Sequence, residues 1–210
     1  MSAQQSLPLA WTPRYDAHSF IVSECNRAAF DRIARPAEWV APVTIILGPK
    51  GSGKTHLAHM FREWHGAVSD TVDHDAKLYV IDDADRGAVS DEALFHLYNH
   101  VMATEGLRLA LIMTEAPDAW VKLPDLLSRL RACGLERLGM PDEEMIKAAY
   151  RKLFSDRGLL VDDKVLDYIT LRTERSFLAV LAVTDALDSA SLTIKRRITI
   201  PFVQGLGLFA

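Results

Sequence analysis

Gly48-Pro49-Lys50-Gly51-Ser52-Gly53-Lys54-Thr55 sets glycines, a lysine and a hydroxyl residue at the spacing G-x-x-x-x-G-K-[ST]. That spacing suits the holding of a polyphosphate. Glycines let backbone N–H groups turn inward where a Cβ would obstruct them. A helix beginning near Gly53 brings its positive end to the same point. Lys54 is placed to reach the outer phosphate oxygens and the Thr55 hydroxyl to ligate Mg2+. Farther on, Asp82 and Asp83 close an apolar run, Leu78-Tyr79-Val80-Ile81. A carboxylate at Asp82 can hold magnesium through its water shell, and Asp83 can polarise an attacking water. Read alone, the pair also fits a solvated strand exit. Thr114 ends another apolar run and is a candidate to point its hydroxyl at the terminal phosphate or at that water.

These residues need strands and helices to position them. Residues 43–47, Val-Thr-Ile-Ile-Leu, form a short β-branched run bounded by proline and by Gly-Pro, the pattern of a buried parallel strand. Further strands are expected at 78–81, 107–113 and 135–138. Helices are expected at 24–35, from 53 onward, at 91–105 and at 124–131. Alternating strands and helices predict an α/β fold with a parallel sheet covered on both faces. Beyond Pro141 only helical patterns occur: one opened by Asp142-Glu143-Glu144, then 162–171, 175–192 and 200–206. The expected organisation is a tail over 1–15, a nucleotide-binding core over 16–140 and a helical subdomain over 141–210.

Hydrophobic residues make up 49% of the 210, charged residues 25%, and the formal net charge is −4, which gives no general drive toward nucleic acid. Cys25 and Cys133 have no metal or redox spacing and read as free thiols in a reducing compartment. No apolar run is expected to reach the length of a membrane span, no N-terminal signal pattern is present, and a cytoplasmic location is expected. His56 and His59 lie three apart on a helix and lack a third ligand at matching spacing. Lys195-Arg196-Arg197 reads as a solvated loop, and Trp39, Trp64 and Trp120 as scattered core or interface aromatics.

Several segments carry a family resemblance. Gly53-Lys54-Thr55-His56-Leu57-Ala58-His59 resembles the phosphate-loop helix of the bacterial replication initiator DnaA and its relatives. Phe20-Ile21-Val22, with Asn26 after it, resembles the segment that lines the adenine pocket there. Leu126-Leu127-Ser128-Arg129-Leu130, with Gly134, is similar to the family's box VII. Asp188-Ser189-Ala190-Ser191, followed by Ile198-Thr199-Ile200-Pro201-Phe202-Val203, resembles the end of the helical lid. The likeness spans about residues 18–207. It implies an AAA+ fold, a three-layer parallel sheet with a C-terminal all-helical lid. It also implies ADP or ATP with Mg2+ at Gly48 to His56, with Ile21 and Val22 at the base.

Within the family the chain resembles the DnaA-homologous regulators more than DnaA. With Ala210 just past the lid, no duplex-reading helix-turn-helix is expected. Gln4-Gln5-Ser6-Leu7-Pro8-Leu9 resembles a peptide that binds the DNA polymerase sliding clamp (its beta subunit), the Gln4 amide entering a polar notch and Leu7 and Leu9 an apolar groove, with Ser6 and Pro8 in the same extended segment. The resemblance implies a regulator, carried on the clamp, that contacts ATP-bound DnaA and stimulates its hydrolysis. It would bind no duplex DNA sequence-specifically and no membrane, and would form a homo-dimer or higher oligomer. Arg129 is implied as an arginine finger, although spacing alone reads Arg129, Arg131 and Arg137 as surface cations. The family's lid arginine does not align: Leu178 stands at its position. Arg175 is expected one turn earlier on the same helix, sharing its face, as a candidate replacement. The interval between Lys54 and Asp82 is shorter than in DnaA, so a strand and a helix are expected to be trimmed, with His65-Gly66-Ala67-Val68 as a short strand. Two other classes stay open: a DNA-binding initiation or helicase-loading ATPase, and a small-molecule kinase.

Overall fold

The computed structural model describes residues 20–65 and 77–209. Gln4 to Leu9 and residues 66–68 of the expected short strand lie outside the described residues. Four parallel strands, β1 (Val43–Leu47), β2 (Leu78–Ile81), β3 (Arg108–Met113) and β4 (Gly134–Arg137), form a sheet of order β2-β3-β1-β4. Val43 pairs with Leu109 and Leu47 with Met113 on one side of β1, and Thr44 pairs with Gly134 on the other. The strands run in one direction, so their C-terminal ends share one edge of the sheet, where open parallel sheets bind ligands.

Side-chain alternation divides the sheet between two apolar bodies. Val43, Ile45, Leu47, Tyr79, Ile81, Leu109, Leu111 and Met113 face α3 (Asp91–Ala103), α4 (Pro117–Trp120) and α5 (Pro124–Arg131). Ile46, Leu78, Val80, Ala110 and Ile112 face α1 (Arg27–Ala34) and α2 (Lys54–His65). Both sheet faces are therefore covered, and β1 and β2 are buried at every residue. The edge strand β4 is held to α1 by Arg32, whose guanidinium donates to Glu136 at 2.6 Å.

After β4 the chain is helical: α6 (Glu143–Asp156), α7 (Asp163–Thr170), α8 (Phe177–Ile194) and α9 (Ile200–Gly205). These helices enclose a separate core of Ile146, Tyr150, Phe154, Leu166, Ile169, Val180, Leu187 and Val203. Side chains fix their starts. Asp142 Oδ1 accepts from Met145 N at 2.8 Å and Ser176 Oγ from Ala179 N at 3.1 Å, caps worth about 1 kcal/mol each.

Two expectations need correction. Ser176 caps α8, so Arg175 precedes the helix and shares no helical face with Leu178. Second, α8 is itself 18 residues long with mean hydropathy 1.6, enough by length and composition for a membrane span. Its Val180, Thr184 and Leu187 are buried against the lid, and its Asp185 and Asp188 lie beside the buried Arg157 guanidinium.

Candidate functional site: a phosphate cradle between sheet and lid

The loop after β1 turns back on itself at Gly51 (φ +83°) and Gly53 (φ +96°), conformations that L side chains rarely adopt. Space is closed as well. A Cβ at Gly48 would lie 2.8 Å from Leu138 Cβ and one at Gly51 2.7 Å from Ser176 Cβ. Lys54 is buried, and its ammonium donates to Pro49 O at 3.0 Å, bracing the loop from inside. Burial pushes its pKa down, while the carboxylates of Asp83, Asp82 and Asp85 act the other way. Ser52 Oγ is buried with no partner among the described residues, an unmet hydrogen-bonding group of the kind a bound oxyanion satisfies. The glycine cradle, the orphaned hydroxyl and the lysine fit a polyphosphate.

Asp82 follows the last residue of β2, level with the loop. The Thr55 hydroxyl acts on its carboxylate and draws its pKa down, so the two groups expected to hold magnesium adjoin here. Burial raises the Asp82 pKa and the Asp83 charge raises it further. Among the described residues no cluster of three or more His, Cys, Asp or Glu forms a metal site. An ion here would rest on Thr55, Asp82 and phosphate oxygens, ligands hard enough for Mg2+. Asp83 has φ +50° and ψ +42°, left-handed for a non-glycine residue, and its N–H donates to Asp82 Oδ1 at 3.0 Å. Such a conformation costs on the order of 1 kcal/mol and turns the Asp83 side chain into the cleft.

Asp85, which sequence reasoning passed over, ties the second and third strand ends together. Its Oδ2 accepts from Thr114 N at 3.1 Å and Glu115 N at 2.8 Å. This clamp seats Thr114 in the cleft wall beside Asp83.

The cleft has a volume of about 310 Å³. Lys50, Gly51, Gly53, Lys54, Thr55, Asp83 and Thr114 line it, and most of the rest of the wall is apolar, from Phe20, Ile21, Ala149, Leu153, Phe177 and Leu181. The segment before α1 bridges core and lid, with Phe20 packed on the sheet body and Ile21 on the lid body. Asn26 holds it, accepting from Ser23 N at 2.9 Å and donating to Ile21 O at 2.8 Å. His56 also lines the cleft, its ring edge-on to Phe20 at 5.1 Å. Val22 lies outside the lining. Leu178 is part of it, and the exposed Arg175 is not. Arg86, Lys152 and Asp156 line it too and were not singled out from sequence. Ala149, Lys152, Leu153 and Asp156 share one stripe of α6, the only signal that could have found the last two.

Arg129 is absent from this lining. It stands near the end of α5 with Nη1 donating to Asn99 Oδ1 at 2.7 Å and its guanidinium over the Phe95 and Tyr98 rings at 4.9 and 5.6 Å. It is therefore an exposed cation held by three residues of α3. Arg131, two residues on, pairs with Asp118.

A parallel α/β core with a glycine cradle at its strand ends and an all-helical lid over the cleft defines the AAA+ class of P-loop proteins. A family model described as "Hda, lid domain" matches residues 142–206, and an uncharacterised protein of Haemophilus influenzae is 31% identical over 187 residues, 78% of this chain and 80% of that protein. The lid match and the fold together make the chain an Hda/DnaA-like AAA+ protein. Among solved structures, domain III of the Thermotoga maritima replication initiation protein DnaA superposes with a TM-score of 0.74 at 17% identity, covering 91% of this chain and 95% of that one. AMPPCP-bound DnaA from Aquifex aeolicus gives 0.68 at 19% identity, covering 84% and 66%. The Thermotoga maritima RuvB Holliday junction branch migration motor gives 0.67 at 18% identity, covering 91% and 70%. At these identities the structures speak for the fold.

Proposed function

We propose that the chain is a cytoplasmic, adenine-nucleotide-binding regulator of chromosomal replication initiation that, on the sliding clamp, stimulates ATP hydrolysis by DnaA. The nucleotide reading is supported by the cradle, the orphaned Ser52 hydroxyl and the apolar far wall, and by the AMPPCP bound to the similar DnaA structure. Thr55 and Asp82 are the residues that would hold magnesium, which when bound neutralises phosphate charge. Lys54 binds the outer phosphates, Asp83 and Thr114 face the reacting end, and Phe20 and Ile21 exclude water from the base.

The placing of Arg129 carries the regulatory reading. A cation outside its own cleft does nothing for its own nucleotide, but one fixed on a rigid helix face can meet charge developing on a partner's phosphate. Its three α3 contacts lower the entropy cost of that meeting. Arginine fingers contribute roughly 10³- to 10⁵-fold in rate. The clamp contact through Gln4, Ser6, Leu7, Pro8 and Leu9 belongs to this proposal, as does self-association. The test measures single-turnover hydrolysis of DnaA-bound ATP with DNA-loaded clamp and this protein. Wild type is expected to accelerate it, and Arg129→Ala to abolish the acceleration while binding nucleotide normally. An unchanged rate with wild-type protein removes the regulatory reading.

A further inference from the structure

We propose that Arg86 is the residue by which the cleft distinguishes a nucleoside triphosphate from a diphosphate; the inference rests on the nucleotide-binding reading above. Arg86 ends the short 3-10 turn Ala84–Arg86 that follows β2. The turn is closed by Gly87 at φ +77° and by Arg86 N donating to Asp83 O at 2.8 Å. This geometry sends the Arg86 side chain into the cleft wall that also holds Lys54, Asp83 and Thr114. Its Nε lies 3.7 Å from Asp83 Oδ1. Its positive charge is also felt at Lys54, where it helps depress the pKa, so both cations act on one space.

That space needs a cation that can move onto a terminal phosphate. Bringing a third phosphate toward Asp83 and Thr114 adds negative charge beside the Asp82 and Asp83 carboxylates. Against them the core sets Lys54, already engaged with the loop, the exposed Lys50 of the lining, and Arg62, whose charge acts on Asp82. From the lid side Phe177, Leu178 and Leu181 supply none. The lid cation in the lining, Lys152, is paired with Asp156 at 3.3 Å. Arg86 is held loosely. Its side chain is 55% exposed and that of Asp83 49%, and a pair so open to water contributes at most about 1 kcal/mol. The guanidinium can leave Asp83 for a terminal phosphate, which it binds as a planar fork. With a diphosphate it stays on Asp83.

The test titrates fluorescent ATP and ADP analogues, with magnesium, into wild type, Arg86→Ala and Arg86→Lys. The exposed site makes both variants foldable. ATP affinity is expected to fall about tenfold in Arg86→Ala while ADP affinity stays within about twofold, a difference the size of one charge-assisted phosphate contact. Arg86→Lys, keeping the charge and losing the fork, is expected between the two for ATP alone. Equal losses for both nucleotides, or no loss for either, overturn the proposal. Wild-type protein that binds neither analogue overturns the nucleotide reading itself, a failure visible before any variant is compared.

Discussion

The Asp82 and Asp83 carboxylates stand side by side at a half-buried strand end, an arrangement that costs stability. Asp82 is raised in pKa chiefly by burial and then by Asp83. The folded protein therefore binds the Asp82 proton more tightly than the unfolded chain does. The stability tied to that proton is complete below the unfolded pKa and is lost as pH rises through the folded one, so at neutral pH ionised Asp82 is a burden that Thr55, the Asp83 N–H and Arg62 offset in part and a bound cation would relieve further. Asp82→Asn is expected to raise the Tm of nucleotide-free protein by a few degrees, the solvent around a half-buried carboxylate keeping the gain small. The same variant is expected to lose the magnesium-dependent part of nucleotide affinity. Thermal melts and titrations with and without EDTA check the two halves, and a lower Tm would contradict this account. Wild-type magnesium dependence is expected to weaken as pH is lowered sooner than an ordinary aspartate would allow, because protons compete with the ion for Asp82.

Glycine conformation couples elements that the sequence separates by over a hundred positions. Gly51 O accepts from Phe177 N at 2.9 Å, so the phosphate loop is bonded to the first residue of α8, and the Ser176 Cβ fills the place a Gly51 side chain would take. Gly51→Ala is expected to reduce nucleotide affinity by tenfold or more, at roughly the cost of a lost hydrogen bond plus left-handed strain. It is also expected to speed hydrogen exchange at the start of α8. Gly106→Ala is the control: its φ is +80° but nothing lies within 4 Å of the new Cβ, so it is expected to cost about 1 kcal/mol of stability and leave nucleotide binding unchanged. The same seam marks where sequence reading stopped. Hydrophobic patterning located β1, β2 and α5 to the residue, because a fully buried strand and a Pro-initiated helix announce themselves locally. It set α8 to begin at residue 175 because apolar spacing does not reveal which serine accepts the N-cap bond. That two-residue difference takes Arg175 off the helix. The phosphate end was legible because its chemistry lies in one octapeptide. Arg86, Lys152 and Asp156 were not, since only the docking of lid on sheet decides which face of α6 and which side of the turn after β2 meet the cleft.

At the scale of the molecule, the sheet with its flanking helices and the lid are two apolar bodies, with the cleft between them. Direct ties across it include the Gly51–Phe177 bond, the packing of Ile21 on the lid and the approach of Cys25 Sγ to Met145 Sδ at 3.7 Å. A nucleotide touching Phe20, Ile21, the phosphate loop, Leu153 and Phe177 would add contacts on both sides at once. Ligand that binds only the closed arrangement stabilises it by mass action, about 2.7 kcal/mol at a hundredfold excess over Kd. For a chain of this size that corresponds to a Tm increase of roughly 5–10 °C. Without nucleotide the lid, with its own core and few ties, is expected to loosen at lower temperature than the sheet, giving a broadened calorimetric transition. With ADP the two are expected to unfold together in one sharper transition. Lys54→Ala is expected to show the broad transition whether or not ADP is present. A wild-type trace that keeps its width while shifting upward would mean that the nucleotide stabilises the sheet alone, and that the lid closes the cleft without being held by what lies inside it.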